Sequence, residues 1–212
     1  DSPSRFCVAD LCAQYAQIIK TTPFTEVMLV YSETFIELLA GYSRYHQNRT
    51  NKLLHAIGIP LLITSYIYGL STPLFRFGMD VAGLPLSLAV LAYVLNGIYW
   101  IALGRRLAIF LIMLFFPVVW LSPSWTDNVA AHGDFWGVPA NLIAFCLLNG
   151  AAWGFQLTGH FFEKKKPTFL NNMRQAQMAP LFLVFELGVL LGGCKTLASR
   201  IEQALNSSSP NS

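Results

Sequence analysis

The stretch HQNRTNKLLHAIGIPLLITSYIYGL, residues 46–70, sets the architecture because a short polar segment with two histidines runs straight into an oily one. The oily part contains no charged side chain, which is typical of a helix that enters a bilayer. Thr50 or Asn51 is a good helix N-cap, so we expect the helix to begin there. His55 then lies about one turn inside the helix and His46 before it, so a bend between them is needed to bring the two rings together.

The composition of the 212-residue chain is that of a membrane protein. Hydrophobic residues make up 54% of it and charged residues 12%, whereas an average soluble domain has about 25% charged residues. The formal net charge of +3 is small, and the basic residues are not interleaved with a stacking platform for bases. We therefore expect the lipid bilayer as a partner and exclude nucleic acid.

Four long apolar runs predict four membrane spans. They cover residues 53–70, 81–103, 107–121 and 138–158. The second and fourth runs reach the roughly 20 residues that a helix needs to cross a bilayer, whereas the first and third are shorter and each contains a proline. A fifth run, residues 179–193, contains Glu186 and predicts a short helix that is half-buried, re-entrant or interfacial.

The segments that flank the apolar runs differ from them. Residues 25–42 place apolar side chains on one helical face opposite several glutamates, which predicts an amphipathic helix. Residues 1–24 are interpreted as a loosely ordered segment and residues 201–212 as a disordered polar tail. The sequence therefore predicts an all-α polytopic membrane helix bundle, a single domain over residues 25–200 with the amphipathic helix before the spans and a short membrane helix after them.

Basic residues gather at one set of span ends. Nine lysines and arginines lie in residues 44–52, 104–106 and 160–178. The opposite ends, residues 71–80 and 122–137, contain only Arg76. By the positive-inside rule, the basic set faces the cytosol, and its alternation along the chain agrees with four spans.

Three of the four histidines fall on the basic side, and His132 falls in an opposite loop, where it is interpreted as an ordinary loop residue. The three are His46, His55 and His160. Neutral imidazoles are good ligands for Fe, Zn or Mn, so three of them at one membrane depth indicate a metal site. Side chains that are able to orient such rings are nearby: Gln47, Asn51, Glu163 and Glu186. Interfacial hydrogen bonds made by the same histidines remain an equally good interpretation.

Two blocks of the sequence resemble the membrane 2-hydroxy-fatty-acid dioxygenases first described in yeast. The blocks are YSRYHQNRTNKLLHAIGIP, residues 42–60, and WGFQLTGHFFEKKKPTFLNNMRQAQMAPLFLVFE, residues 153–186. The first carries Tyr-His and then Asn-xxx-His-xx-Gly-x-Pro. The second carries Gly-His, a nearby Glu, a basic run with Pro, and finally Ala-Pro with Phe-Glu.

The resemblance implies an Fe(II)-dependent enzyme of the endoplasmic reticulum, or of the inner membrane in a bacterium. The positive-inside rule predicts that its site lies on the cytosolic face. Such enzymes use O2 to remove one carbon from a 2-hydroxy fatty acid. The resemblance assigns the iron to His46, His55 and His160. Glu163, Gln47 or a water is expected to complete the coordination sphere, and Glu163 is otherwise expected to orient a ligand.

The basic residues near the histidines allow two interpretations. Lys164, Lys165 and Lys166 are typical of a topology signal that contacts acidic lipid headgroups. Together with Arg49 they are also candidates for steering the carboxylate of a fatty acid. Two other functions fit the bulk pattern: a non-catalytic scaffold or lipid-binding bundle, and a small transporter with Glu186 on an ion path. The few polar residues within the spans disfavour the transporter.

Overall fold

The structure, a computed structural model, describes residues 31–164 and 173–207, apart from the side chains of residues 173–175. The described residues from Glu33 onward form one compact unit. The helices of this part of the chain are α1 (Glu33–Tyr45), α2 (Arg49–Leu70), α3 (Leu88–Ala130), α4 (Ala140–Glu163), α5 (Met173–Leu190) and α6 (Lys195–Ser207). The prediction of an all-α bundle is therefore confirmed.

Among the described residues, α2, α3 and α4 are each long and apolar enough to cross a membrane. A fourth candidate is the pair formed by residues 176–190 of α5 and by α6, which meet at a bend of 118°. Many large apolar side chains on these helices are exposed, such as Leu53, Ile98 and Leu147. Because exposed apolar surface of this extent is rare in soluble monomers, these helices indicate association with a membrane.

The long helix α3 is two antiparallel arms that join at Gly104. The backbone of Gly104 leaves helical geometry (φ −156, ψ 76), and the Tyr93 hydroxyl donates a hydrogen bond to the carbonyl of Ile112. On a straight helix these two residues would lie about 28 Å apart. The arms, residues 88–103 and 105–130, therefore fold back on each other, in agreement with the two separate apolar runs of the sequence.

Two short β-hairpins connect the helices, and the sequence analysis did not predict them. Strands β1 (Arg76–Val81) and β2 (Leu84–Ser87) pair antiparallel before α3, so the run expected to begin as a helix at Val81 becomes helical only at Leu88. The reason is the two-residue turn Ala82-Gly83, with both φ angles positive, which favours a tight hairpin. Strands β3 (Asp134–Phe135) and β4 (Val138–Pro139) form a similar hairpin before α4.

Glycines let α2 and α4 pack closely along their length. A Cβ atom built on Gly69 would lie 2.7 Å from the ring of Phe145, and one on Gly58 would lie 3.0 Å from Cβ of Phe155. Small residues at such crossings allow helix backbones to approach each other inside membranes. Because α2 and α4 are antiparallel, the start of α2 meets the end of α4, and His55 and His160 lie near these two ends.

Helix α1 is the described part of the amphipathic helix expected over residues 25–42. Its apolar face is buried at Phe35 and Leu39, whereas Glu33 and Glu37 are exposed, so amphipathicity is confirmed within α1. The remainder of the expected helix up to residue 30, and the segment 1–24 assigned as loosely ordered, lie outside the described residues.

Helix α6 includes residues 201–207, which the sequence analysis assigned to a disordered tail. The helix packs on α1 through an apolar face, on which Leu197 and Ile201 are buried. An ion pair joins Arg200 to Glu33 at the same contact. The polar composition of the tail masked this amphipathic helix, and the assignment to a disordered tail is corrected for these seven residues.

The described basic residues separate between the two ends of the bundle as expected. A Cβ on Gly104 would meet the ring of Phe35 in α1, so the neighbouring Arg105 and Arg106 lie at the α1 end. The opposite end contains Arg76, which pairs with Asp127 at 2.9 Å. The bundle therefore has one basic end, and His46, His55 and His160 share it.

Candidate metal centre

The chain brings the rings of His46, His55 and His160 together at the basic end. His46 follows α1, His55 lies near the start of α2, and His160 lies in the last turn of α4. The ring centroids of His46 and His55, and those of His55 and His160, are 4.9 Å apart, and the third pair is 5.4 Å apart. One nitrogen from each ring lies within 4.8 Å of the other two, so the three rings share one small space.

A capped turn between α1 and α2 provides the bend that the histidine spacing requires. Asn48 is the N-cap of α2, and its Oδ1 accepts hydrogen bonds from the backbone N–H groups of Thr50 (2.8 Å) and Asn51 (3.2 Å). The expectation that Thr50 or Asn51 is the cap was therefore wrong. The side chain of Asn48 can reach both N–H groups because its own backbone is still extended (φ −71, ψ 127).

Backbone carbonyls orient two of the rings. Nδ1 of His46 lies 2.8 Å from the carbonyl oxygen of Tyr42, and Nδ1 of His55 lies 3.1 Å from that of Asn51. Because a carbonyl only accepts, each Nδ1 carries the proton and each Nε2 keeps a lone pair. The Tyr42 ring also stacks on His46 with a centroid distance of 4.0 Å.

Burial keeps His46 uncharged. It lowers the pKa of His46 to about 4, although the hydrogen bond to the Tyr42 carbonyl acts in the opposite direction. The ring is therefore neutral at neutral pH, and its Nε2 lone pair is available to a metal ion.

Some polar atoms of the cluster have no partner among the described residues. They are Nε2 of His46, Nδ1 of His160 and Oδ1 of Asn51, all of which are buried. Such atoms are rare in folded proteins because an unpaired buried polar group costs roughly 1–3 kcal/mol. The donor set therefore fits a metal ion, which would satisfy the two histidine nitrogens, better than it fits histidines that make only interfacial hydrogen bonds.

Glu163 holds the turn after His46 in place and does not point at the rings. Its Oε1 accepts from the backbone N–H of Gln47 (3.0 Å), and its Oε2 accepts from the backbone N–H of Asn48 and from Nδ2 of Asn51 (both 2.9 Å). Both carboxylate oxygens are therefore engaged at the start of α2, where the helix dipole favours negative charge. The structure does not include Glu163 in the donor cluster.

Two other candidates for orienting the rings are engaged elsewhere. The exposed side chain of Gln47 donates to the carbonyl of Ser43, so Gln47 is not a ligand in this arrangement. Glu186 forms an ion pair with Lys52 at 2.8 Å, and the ammonium of Lys52 lies 5.7 Å from the centre of the Phe182 ring. Of the four polar candidates from the sequence, Asn51 alone has an unsatisfied buried atom in the cluster.

The predicted carboxylate-binding residues lie away from the rings where the structure describes them. Arg49 is exposed at the first position of α2. Lys164 is exposed and ends α4 in the left-handed conformation, whereas Lys165 and Lys166 lie outside the described residues. His132 is exposed in the opposite connection, where its Nδ1 lies 2.9 Å from the carbonyl of Asn128, in agreement with its interpretation as a loop residue.

Gly159 is a site residue that the sequence analysis did not single out. A Cβ built there would collide with Oδ1 of Asn51 and would lie 2.8 Å from Nδ1 of His55. The missing side chain therefore lets the end of α4 approach the start of α2 closely enough for His160 to meet His55. The Gly-His pair is visible in the sequence as a pattern. Only the crossing of α2 and α4 shows why a glycine is needed before His160.

A long cavity begins at the three histidines. Its volume is about 660 Å³, and its far end is lined by Leu70, Ala89 and Phe115. Most of its lining is apolar, and the lining contains no Asp, Glu, Lys or Arg from the described residues. The volume is in the usual range for small-molecule sites. The arrangement is suited to a ligand with a polar head at the histidines and an apolar tail.

Comparison with known proteins agrees with this arrangement. The profile of the 2-hydroxy-palmitic acid dioxygenase Mpo1-like family matches residues 32–189. A protein of Saccharomyces cerevisiae named 2-hydroxy-palmitic acid dioxygenase MPO1 is 26% identical over 170 residues, which cover 79% of this chain and 87% of the yeast protein. No solved structure matches the chain. Since the family profile spans the whole histidine cluster and most of the bundle, the chain belongs to the Mpo1-like family.

Proposed function

We propose that the protein is an Fe(II)-dependent dioxygenase that uses O2 to shorten 2-hydroxy fatty acids by one carbon. In this reaction the bond between C1 and C2 breaks, C2 becomes the new carboxyl carbon and C1 leaves as CO2. The electrons lost by these two carbons reduce O2, and one oxygen atom ends in water. The observation that carries the proposal is the cluster of three histidine rings at one end of a long apolar cavity. The name of the yeast relative supports the substrate class.

The cavity fits the shape of such a substrate. His55 and Leu70 line its two ends and are 15 residues apart on α2, which corresponds to a length of about 22 Å. An extended long acyl chain is of comparable length. Each methylene that it buries contributes roughly 0.8 kcal/mol to binding, so the tail provides the affinity, and the acid group lies at the histidines.

The histidines would hold the metal as three neutral nitrogen ligands. When bound, Fe(II) would activate O2 and offer open coordination positions, as three-ligand iron sites in other oxygenases do, while the substrate supplies the electrons. The protein would keep His46 and His55 in the correct tautomer through backbone carbonyls. Glu163 would fix the turn that carries His46, so we assign it a positioning role.

The exposed basic residues are proposed to act at the surface. Arg49 and Lys164 do not line the cavity, so they would attract the anionic acid to its entrance or contact acidic headgroups. Lys165 and Lys166 are proposed to share this role through their position in the sequence. Because basic residues are in excess at this end, we propose that it faces the cytosol. The proposed membrane is the endoplasmic reticulum in a eukaryote and the inner membrane in a bacterium.

The test is metal content and O2 uptake on protein purified without oxygen. Wild type, His160→Ala and the matched control His132→Ala are compared, with 2-hydroxypalmitate as substrate. We expect about one iron per chain and substrate-dependent O2 uptake in the wild type and the control, and neither in His160→Ala. Iron without O2 uptake would mean a different substrate. Absence of metal from all three proteins would favour the non-catalytic lipid-binding bundle.

A further inference from the structure

Gln156 is a largely buried amide in the wall of the cavity. It lies on α4 four residues before His160, which places both side chains on one face of the helix. It is 7% exposed and lines the cavity. The amide of Asn96, another lining residue, donates to the carbonyl of Ala92, whereas the Gln156 side chain forms no hydrogen bond within the described part of the chain.

The amide packs closely against the helix that faces it. A Cβ on Gly58 of α2 would lie 3.2 Å from Nε2 of Gln156, so a larger residue at position 58 would displace the amide. The room left by Gly58 thus keeps a polar group one helical turn from the histidine cluster. Because the amide lines the cavity and forms no hydrogen bond within the described part of the chain, it is free to bind a polar group of a ligand in that cavity.

The side chains that line the cavity indicate which kind of ligand group could bind to the Gln156 amide. The described lining contains no cationic side chain, so an acid group at this end must be bound by the metal site and by neutral donors. A carboxamide both donates through its NH2 group and accepts through its oxygen. A 2-hydroxy acid offers the complementary pair, since its carboxylate accepts and its hydroxyl donates.

We propose that Gln156 recognises the 2-hydroxy acid head of the substrate, with Nε2 donating to the carboxylate and Oε1 accepting from the 2-hydroxyl group. This inference rests on the proposed function and adds a residue that positions the substrate. A site built to bind a hydroxyl group discriminates strongly against the analogue that lacks it, because its own polar group is then left unpaired. Gln156 therefore contributes to the selection of 2-hydroxy acids over ordinary fatty acids.

The test compares Gln156→Leu with the same change at the exposed Gln203 of α6. Binding of 2-hydroxypalmitate and of palmitate to the Fe(II)-loaded proteins is measured without oxygen, and the iron content is measured in parallel. We expect Gln156→Leu to keep its iron and to lose about tenfold or more of its preference for the hydroxy acid. In turnover, KM is expected to rise more than kcat falls. Gln203→Leu is expected to behave as the wild type.

Other outcomes would show whether the role of Gln156 is wrong or the proposed function itself is wrong. An unchanged preference in Gln156→Leu, with iron retained, would overturn the role of Gln156 and leave the dioxygenase proposal intact. Loss of iron, or an equal loss of affinity for both acids, would also overturn it, since a structural role would produce that pattern. A wild-type protein that binds iron but neither acid would contradict the proposed substrate, and the inference with it.

Discussion

Two buried polar clusters lie at opposite ends of α2, and they differ in how their hydrogen bonds are satisfied. At the end of α2, the hydroxyl groups of Ser71 and Ser122 lie 2.6 Å apart, and Thr126 donates to the carbonyl of Pro123 at 2.9 Å. The guanidinium of Arg76 donates to the carbonyls of Ser71 and Pro123 and to the hydroxyl of Thr126. At the start of α2, the histidine cluster has buried nitrogens that find no partner in the part of the chain that the structure describes.

The difference in hydrogen bonding distinguishes a structural cluster from a candidate binding site. Ser71, Ser122 and Thr126 are fully buried, and their hydroxyl groups all form hydrogen bonds. This cluster therefore has a structural role: it connects the end of α2 to α3. In the histidine cluster, His46 Nε2 and His160 Nδ1 have no partner within residues 31–164 and 173–207, which costs stability in the metal-free protein. A cluster that costs stability when empty is best explained by what it binds.

The largest effect is expected from removing one of the three rings. His55→Ala should abolish iron binding and lower O2 uptake by roughly a thousandfold or more, since the metal loses a ligand. The thermal midpoint of the metal-free protein should change by much less, because one strained cluster is relieved while a small cavity forms. Metal analysis and thermal unfolding in detergent check the two parts. Full iron content in His55→Ala would contradict the site.

A change in the cluster at the end of α2 should lower stability and leave iron binding unchanged. Arg76→Ala removes the guanidinium hydrogen bonds to the carbonyls of Ser71 and Pro123 and to the Thr126 hydroxyl, and we expect a loss of about 2–4 kcal/mol in the free energy of unfolding. Iron content per folded chain should stay at the wild-type value. The control is Arg106→Ala, an exposed arginine, for which a change below about 0.5 kcal/mol is expected. Loss of iron in Arg76→Ala without loss of stability would overturn the distinction.

Two glycines on α4 test the close approach of α2 and α4. In Gly159→Ala the new methyl group meets Asn51 and His55, whereas in Gly154→Ala it meets nothing within 4 Å. We expect iron affinity to fall roughly tenfold to a hundredfold in Gly159→Ala, as for other changes that misplace a ligand. Gly154→Ala should match the wild type or be slightly more stable, because alanine favours helix. Iron titration of the two variants checks this, and equal affinities would contradict it.

The amino-acid sequence predicts the helix bundle, and it also predicts that three histidines lie at the same end of it. Apolar run length and basic residues depend on the membrane, which acts on each segment independently, so they can be read without knowing the contacts. That is enough to place His46, His55 and His160 at one end. It also predicts the separate arms of α3, since Arg105 and Arg106 interrupt the apolar pattern.

What the sequence does not predict depends on contacts between segments. Glu163 lies three residues from His160. This proximity alone fits a metal ligand and a hydrogen-bonding partner of the protein backbone equally well. The direction of its carboxylate is set by the backbone N–H groups of Gln47 and Asn48, which only the folded turn presents. The role of Gly159 and the cavity beside Gln156 likewise exist only once α2 and α4 have packed.

The smallest effect is expected at Glu163, and it distinguishes a positioning residue from a ligand. Glu163→Gln keeps one oxygen to accept from the turn but turns an NH2 group toward the remaining donors, so the segment carrying His46 is held less firmly. We expect iron affinity to fall by roughly tenfold. The visible spectrum of the Co(II)-substituted protein should stay unchanged, because the three nitrogen ligands are retained. An altered Co(II) spectrum would show that the carboxylate belongs to the sphere. Glu202→Gln, at an exposed position of α6, serves as the control, and equal affinity in the two variants would mean that the turn is held by Asn48 and the packing of α1 alone.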